Sequence, residues 1–412
     1  MRIVESSDAG AVASLLDHAP RRDVPLERRV ARIVTAVRDG GDRALLAYAR
    51  QFDRLAGPIE VTREEIRDGA AAVPPEVRIA IRTAARHIRH VARRQLPRGW
   101  TTSPSSGVTI EQRVTPLDRV GCYVPGGRYP LPSSLLMTAI PARVAGVREI
   151  VAACPRPDGT VMCAAMEAGV TRLLRIGGAH AIAALAFGTE TIPKVDKIVG
   201  PGNAYVAAAK AFVAADCAID FFAGPSEILI VSTQGRPEWI AADLLAQAEH
   251  DENARAILVT PDRKLARQVA DQIARQMPQD GPARTALERN GAIVLTPSLD
   301  DAISLSERMA PEHVVCDSAV VAARLRRAGT VFIGDYSAQA AGDYATGSNH
   351  VLPTSGAAAA RGGLSAADFV RVSTVQRLTR RGLRGIAPHV VALADAEGLR
   401  AHAASIRIRE KS

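Results

Sequence analysis

From residue 119 to residue 226 the chain repeats one pattern: a short apolar run, a glycine turn, then a segment with helical spacing. Strands read at 120–124, 149–153, 172–176, 197–199 and 218–222, and helices at 133–144, 161–168, 180–187 and 204–214. Parallel neighbours must be joined by a crossover that packs back on the sheet, so this order predicts a parallel sheet flanked by helices. A second run starts at 228–232 and continues through 256–260, 291–296 and 330–333. Two α/β units sharing one cleft are expected.

Residues 1–55 read as helices from their three- and four-residue apolar spacing, with Ser7-Asp8 as a cap. Thr62-Arg-Glu-Glu65 is a capping box, and Pro74-Pro75 opens a long basic helix that stops before Pro97. Residues 101–107 read as a loop and 108–114 as a strand, while 334–353 reads as a long polar loop without a regular element. The end reads as a helix over 388–402 and a strand over 404–408. The expected division is an N-terminal helical arm over 1–20, one α/β unit from 21–118 plus 225–365, a second over 119–224, and a C-terminal tail over 366–412.

Composition narrows the functional classes. The 412 residues are 47% hydrophobic and 23% charged, the balance of a soluble globular chain. No apolar run is long enough for a membrane span, and the N-terminus lacks the apolar core of a signal peptide. Five scattered cysteines without a C-x-x-C pair argue for reduced thiols and a cytoplasmic location. The net charge of +9 raises a nucleic-acid reading, but the arginines of 82–98 fall on the outer face of an amphipathic helix without aromatic interleaving. Neither nucleic acid nor membrane is expected as a partner.

Within residues 239–253, Gln247 and His250 stand three apart on one helix face. A carboxamide oxygen and an imidazole so placed form either a capped helix end or half of a site for a metal such as zinc. Glycine turns at Gly126-Gly127, Gly177-Gly178 and Gly200-x-Gly202-Asn203 follow strands and open helices, where phosphate groups bind readily, although none has the G-x-G-x-x-G spacing. With Tyr123 and Asn203 beside them, a dinucleotide is plausible. Glu312-His313 sets a carboxylate beside an imidazole, a pair suited to acid–base work near neutral pH or simply a surface acid beside a structural histidine. Asp343, His350 and His402, each taken alone, read as solvated or locally hydrogen-bonded side chains; Asp343 and His402 could nonetheless complete a four-donor set with Gln247 and His250.

Seven ordered segments carry a resemblance that runs over nearly the whole chain. They are G-C-Y-V-P-G-G-R-Y-P-L-P-S-S-L-L-M from Gly121, V-D-K-I-V-G-P-G-N-A-Y-V from Val195, I-D-F-F-A-G-P-S-E-I from Ile219, and D-L-L-A-Q-A-E-H-D from Asp243. A-P-E-H-V from Ala310, G-D-Y-A-T-G-S-N-H-V-L-P-T from Gly342, and E-G-L-R-A-H ending at His402 complete them. In these the chain resembles the histidinol dehydrogenase family.

That resemblance implies two Rossmann-like parallel-sheet domains, with NAD bound on 119–224 and zinc and the catalytic residues on 21–118 plus 225–365. It implies NAD-dependent, four-electron oxidation of L-histidinol through L-histidinaldehyde to L-histidine, the last steps of histidine biosynthesis. Gln247, His250, Asp343 and His402 would hold one zinc per subunit. His313 would be the base, and Glu312 would activate water. Ser226, His350 and Glu397 would hold the substrate together with His313 and the four zinc ligands, and Tyr123, His180 and Asn203 would contact NAD. The family usually carries Gln where this chain has His180. It also implies a homodimer whose swapped tail brings Glu397 and His402 to the neighbour's site. Relatives acting on other small polar alcohols, including a sulfonated diol, share the G-G-R-Y-P segment at 126–130 and give the alternative reading.

Overall fold

The computed structural model describes residues 1–17, 23–126, 130–221 and 224–410. Two six-stranded sheets form its frame, with helices on both faces of each.

The first sheet runs in the order Arg2–Glu5, Ala292–Leu295, Arg255–Thr260, Glu227–Val231, His313–Cys316, Thr330–Ile333, parallel throughout. Side chains alternate across it, as strand geometry requires. Ile228 and Ile230 pack under Leu244, Val269 and Leu287 on one face, while Leu229 and Val231 meet Val12, Ile303 and Leu305 on the other.

The second sheet is ordered Glu60–Val61, Arg172–Leu174, Glu149–Ala153, Arg119–Tyr123, Lys197–Val199, Ala218–Ile219, and only the edge strand Glu60–Val61 is antiparallel. Val120 and Cys122 lie in a core with Ile81, Ile88 and Leu136. On the opposite face Tyr123 and Ile198 share a core with Val34, Val37, Leu45 and Leu185. In both sheets the chain first adds an edge strand, Arg2–Glu5 or Glu60–Val61, and then builds outward to either side from a central one, Glu227–Val231 or Arg119–Tyr123. The order therefore reverses between Glu227–Val231 and His313–Cys316, and again between Arg119–Tyr123 and Lys197–Val199.

Several expectations change. Arg2–Glu5, assigned to a helical arm, is an edge strand paired with Ala292–Leu295. The helices Val24–Tyr48, Arg63–Ala71 and Pro75–Arg94 cover the second sheet, so the division that joined 21–118 to the first α/β unit does not describe the packing. Periodicity shows which face of a helix is buried but not what it is buried against. Residues 101–107, read as a loop, contain most of the strand Trp100–Ser105, which joins Val108–Pro116 and Val370–Leu378 in a separate antiparallel sheet. The stretch 334–353 holds the helix Gln339–Tyr344, and the strand expected at 404–408 lies inside the helix Arg400–Glu410. Gly127, Phe222 and part of the G-G-R-Y-P segment fall outside the described residues.

Candidate active site

Seven of the nominated side chains gather at the amino-terminal ends of Glu227–Val231 and His313–Cys316. Ser226 and Glu312 immediately precede those strands, and His313 is the first residue of its own. Parallel pairing of Ile228 with His313 brings the two strand starts side by side. Glu312 Oε2 accepts the Ser226 hydroxyl at 2.7 Å and the Glu227 N–H at 2.8 Å. His313 Nδ1 lies 3.0 Å from the Glu227 carbonyl. A carbonyl can only accept, so Nδ1 carries the proton and Nε2 carries the lone pair.

The helix Pro237–Ala248 brings in the second layer. Proline in the first turn and Glu238 beside it suit the helix start. Ile240, Ala241, Leu244, Leu245 and Ala248 bury one stripe, which carries Gln247 inward with it. Gln247 Nε2 donates to Ser226 Oγ at 2.7 Å, while its buried Oε1 has no hydrogen-bond partner among the described residues. His250, just past the helix end, sets Nε2 3.8 Å from Asp343 Oδ2. Asp343 lies on the helix Gln339–Tyr344, and its carbonyl accepts His350 Nδ1–H at 2.8 Å. Its carboxylate is 4.0 Å from His313 Nε2.

Gln339 and Glu227 belong to the same group and were not anticipated. Gln339 is buried, donates to Asp343 Oδ2 at 2.6 Å and stands 3.5 Å from His313 Nε2. Its place four residues before Asp343 would have marked it, had the stretch been read as helical. Glu227 acts through its main chain, and no side-chain motif announces that.

Electrostatics follow from burial. The Glu312 carboxyl is pushed up to about 8, chiefly because burial disfavours its anion, with Ser226 and the Glu227 N–H pulling the other way. Burial likewise lifts Glu227 to about 7, against the pull of Arg255. His313 and His350 are both lowered, burial again leading, which keeps their rings neutral. The site thus offers neutral imidazoles, acidic groups and one orphaned carbonyl oxygen, a set that favours a cation.

Among the described residues, no three or more His, Cys, Asp or Glu side chains are grouped to hold a metal ion. Gln247, His250 and Asp343 are three suitable donors, and the orphaned Gln247 Oε1 fits a zinc ligand. The fourth nominated donor is elsewhere. His402 sits exposed on Arg400–Glu410 and Glu397 exposed at the end of Arg380–Ala396, and no side-chain hydrogen bond or ion pair among the described residues joins either to the group.

The other nominated cluster lies at the carboxyl ends of the second sheet, at its reversal of strand order, where open α/β sheets take ligands. Tyr123 is buried, and its hydroxyl accepts the Gly178 N–H at 3.1 Å. His180 Nε2 lies 2.7 Å from Asp53 Oδ2, which also accepts the Gly177 N–H at 2.9 Å. Asp53, unmarked in the sequence, closes that turn. Asn203 is exposed and caps Ala204–Val213 by accepting from Tyr205 N and Val206 N at 3.1 and 3.2 Å. Gly200, at φ +116°, lies so close over the Tyr123 carbonyl that no Cβ fits, which presses the loop flat against the strand end. These loops suit a dinucleotide by position.

A model of the family described as histidinol dehydrogenase matches residues 18–410. The histidinol dehydrogenase of Methanothermobacter thermautotrophicus is 48% identical over 393 residues, covering 92% of each chain. That of Syntrophotalea carbinolica is 46% identical over 428 residues, covering 100% of this chain and 99% of its own. The crystal structure of the Elizabethkingia anophelis enzyme superposes with a TM-score of 0.94 at 34% identity, covering 100% of this chain and 98% of that one. The chain belongs to the histidinol dehydrogenase family.

Proposed function

We propose that the chain oxidises L-histidinol through L-histidinaldehyde to L-histidine, as a cytoplasmic homodimer with one zinc per subunit and NAD as oxidant. The observation that carries this reading is the neutral His313, anchored through Nδ1 on the Glu227 carbonyl, beside a buried Glu312.

Bound zinc would fix the substrate's imidazole and amine, and NAD would accept a hydride in each oxidation. His313 Nε2 takes the carbinol proton in the first oxidation, yielding the aldehyde. Water then adds to the aldehyde carbon. Glu312, as its carboxylate, takes a proton from that water, and His313 serves again as base while the hydrate is oxidised to the acid. Gln247, His250 and Asp343 hold the metal from within the chain. His402 of the partner subunit would supply the fourth ligand, and Glu397 of the partner subunit would help this chain's Ser226 and His350 to hold the substrate. Tyr123, His180 and Asn203 line the cofactor end.

The test is the NADH formed per histidinol consumed, on zinc-loaded and chelator-stripped protein. Two NADH per histidinol, lost on stripping and regained with zinc, is the expected result. Absence of histidinol turnover by folded, zinc-loaded protein would overturn the reading.

A further inference from the structure

We propose that the buried Lys210–Asp220 ion pair is a positioning device for the loop 200–203, holding it in the conformation that receives the cofactor. The proposal rests on the reading of Tyr123, His180 and Asn203 as the NAD end.

Lys210 lies on Ala204–Val213, and Asp220 follows the strand Ala218–Ile219. The residues are only 3% and 5% exposed, and their side chains form an ion pair. Both reach the main chain of the same residue, on the two peptide units that flank its Cα. Asp220 Oδ2 accepts the Gly200 N–H at 2.8 Å, and Lys210 Nζ donates to the Gly200 carbonyl at 2.9 Å. Asp220 Oδ1 also accepts the Phe221 N–H at 2.7 Å, and the Arg361 guanidinium donates to the Asp220 carbonyl. Gly200 is thereby gripped at both polar atoms while its Cα lies against the Tyr123 carbonyl.

Fold stability is a weak reason for such a pair. Removing two charges from water offsets most of their mutual attraction, and apolar side chains of similar volume often serve a core as well. An apolar pair could not hold the N–H and the carbonyl of Gly200 together. Gly200 is the residue where the strand Lys197–Val199 turns into the loop that carries Asn203. A shift there would displace Asn203 relative to Tyr123, and misplacement of about 1 Å in a positioning element can lower a rate a hundredfold. Neither Lys210 nor Asp220 is placed in contact with substrate or cofactor; both act through Gly200.

The test compares the zinc-loaded enzyme with Lys210→Met, Asp220→Asn and the double variant Lys210→Met/Asp220→Asn. Three quantities are read: the NADH dissociation constant by fluorescence, amide hydrogen exchange of residues 200–203 without cofactor, and the melting temperature. Each single variant is expected to weaken NADH binding roughly ten- to a hundredfold and to speed exchange in the loop. The double variant, which leaves no unpaired charge buried, should recover melting temperature while NADH binding stays weak. Recovery of both together would mean that the pair only supports the fold, and unchanged NADH affinity in folded variants would equally overturn the proposal. Should the single variants fail to fold, the double variant alone decides. A wild-type protein that binds no NADH would refute the reading of the NAD end and the proposal with it, whereas tight wild-type binding matched by the variants refutes the proposal alone.

Discussion

The two sheets have the same outward-built order, yet they carry their nominated residues at opposite ends. Tyr123 and the loops at Gly177 and Gly200 lie at the carboxyl ends of the second sheet. Ser226, Glu312 and His313 lie at the amino ends of the first. The chemistry differs as much as the position. At the second sheet the polar groups satisfy one another: Tyr123 takes the Gly178 N–H, Asp53 takes Gly177 and His180, and Asn203 caps its own helix. At the first sheet Glu312 and His313 are buried against their charged forms, and Gln247 Oε1 lacks a hydrogen-bond partner among the described residues. The fold rule locates a cofactor crevice at the second sheet and misses the reactive end of the first. Buried polar groups locate that end instead.

The sharpest way to break this contrast is at the base. His313→Ala is expected to lower turnover by roughly 10²–10⁴-fold, the usual range for removing a general base, with zinc content unchanged. Steady-state rates and metal analysis on one preparation check this, and wild-type turnover would remove His313 from its role.

Glu312 gives the next largest effect. Its folded value, about 8, lies above the ordinary carboxylate value of 4.5, so between those values the folded protein binds a proton that the unfolded chain does not. Stability from this group is then fully present below the lower value and is lost as pH rises through the upper one. Glu312→Gln keeps an oxygen to accept from Ser226 and the Glu227 N–H but does not titrate. In metal-free protein its stability relative to wild type should rise with pH across that window, by on the order of a few kcal/mol, and then level off. Denaturant midpoints at several pH values measure it, and a pH-independent difference would contradict the assigned burial.

Much of this was legible in the sequence, and the omissions have physical causes. The strand–turn–helix alternation located both sheets, whereas His250, expected on one helix face with Gln247, lies exposed just past the helix end while Gln247 is buried. Arg2–Glu5 escaped because a four-residue edge strand is defined by a partner 290 residues away, not by its own pattern. Residues 404–408 alternate like a strand, yet they are helical with Ile408 exposed, so local alternation there did not report a buried face. Gln339, Asp53 and the Glu227 main chain owe their roles to long-range contacts.

Ser226 sharpens the contrast further. Its hydroxyl accepts from Gln247 Nε2, which leaves the carboxamide oxygen as the free donor atom. Ser226→Ala should weaken zinc binding about 10–100-fold by chelator competition, and Ser226→Thr should restore much of it. Unchanged affinity in the alanine variant would show that Gln247 is oriented by other means.

The smallest effect belongs to the satisfied end. His180 is turned toward Asp53, so His180→Gln should change the NADH dissociation constant by about tenfold at most, the worth of one hydrogen bond. A far larger change would make this end as sensitive as the other.

The central claim is that the metal end is incomplete within one chain and is finished by the partner's tail. Co-expression of His313→Ala and His402→Ala subunits tests it most directly. If His402 acts across the interface, one of the two sites in each mixed dimer is intact, and statistical pairing gives about a quarter of wild-type activity from two inactive parents. If His402 serves its own chain, every site lacks one residue and the mixture stays inactive, which would contradict the account.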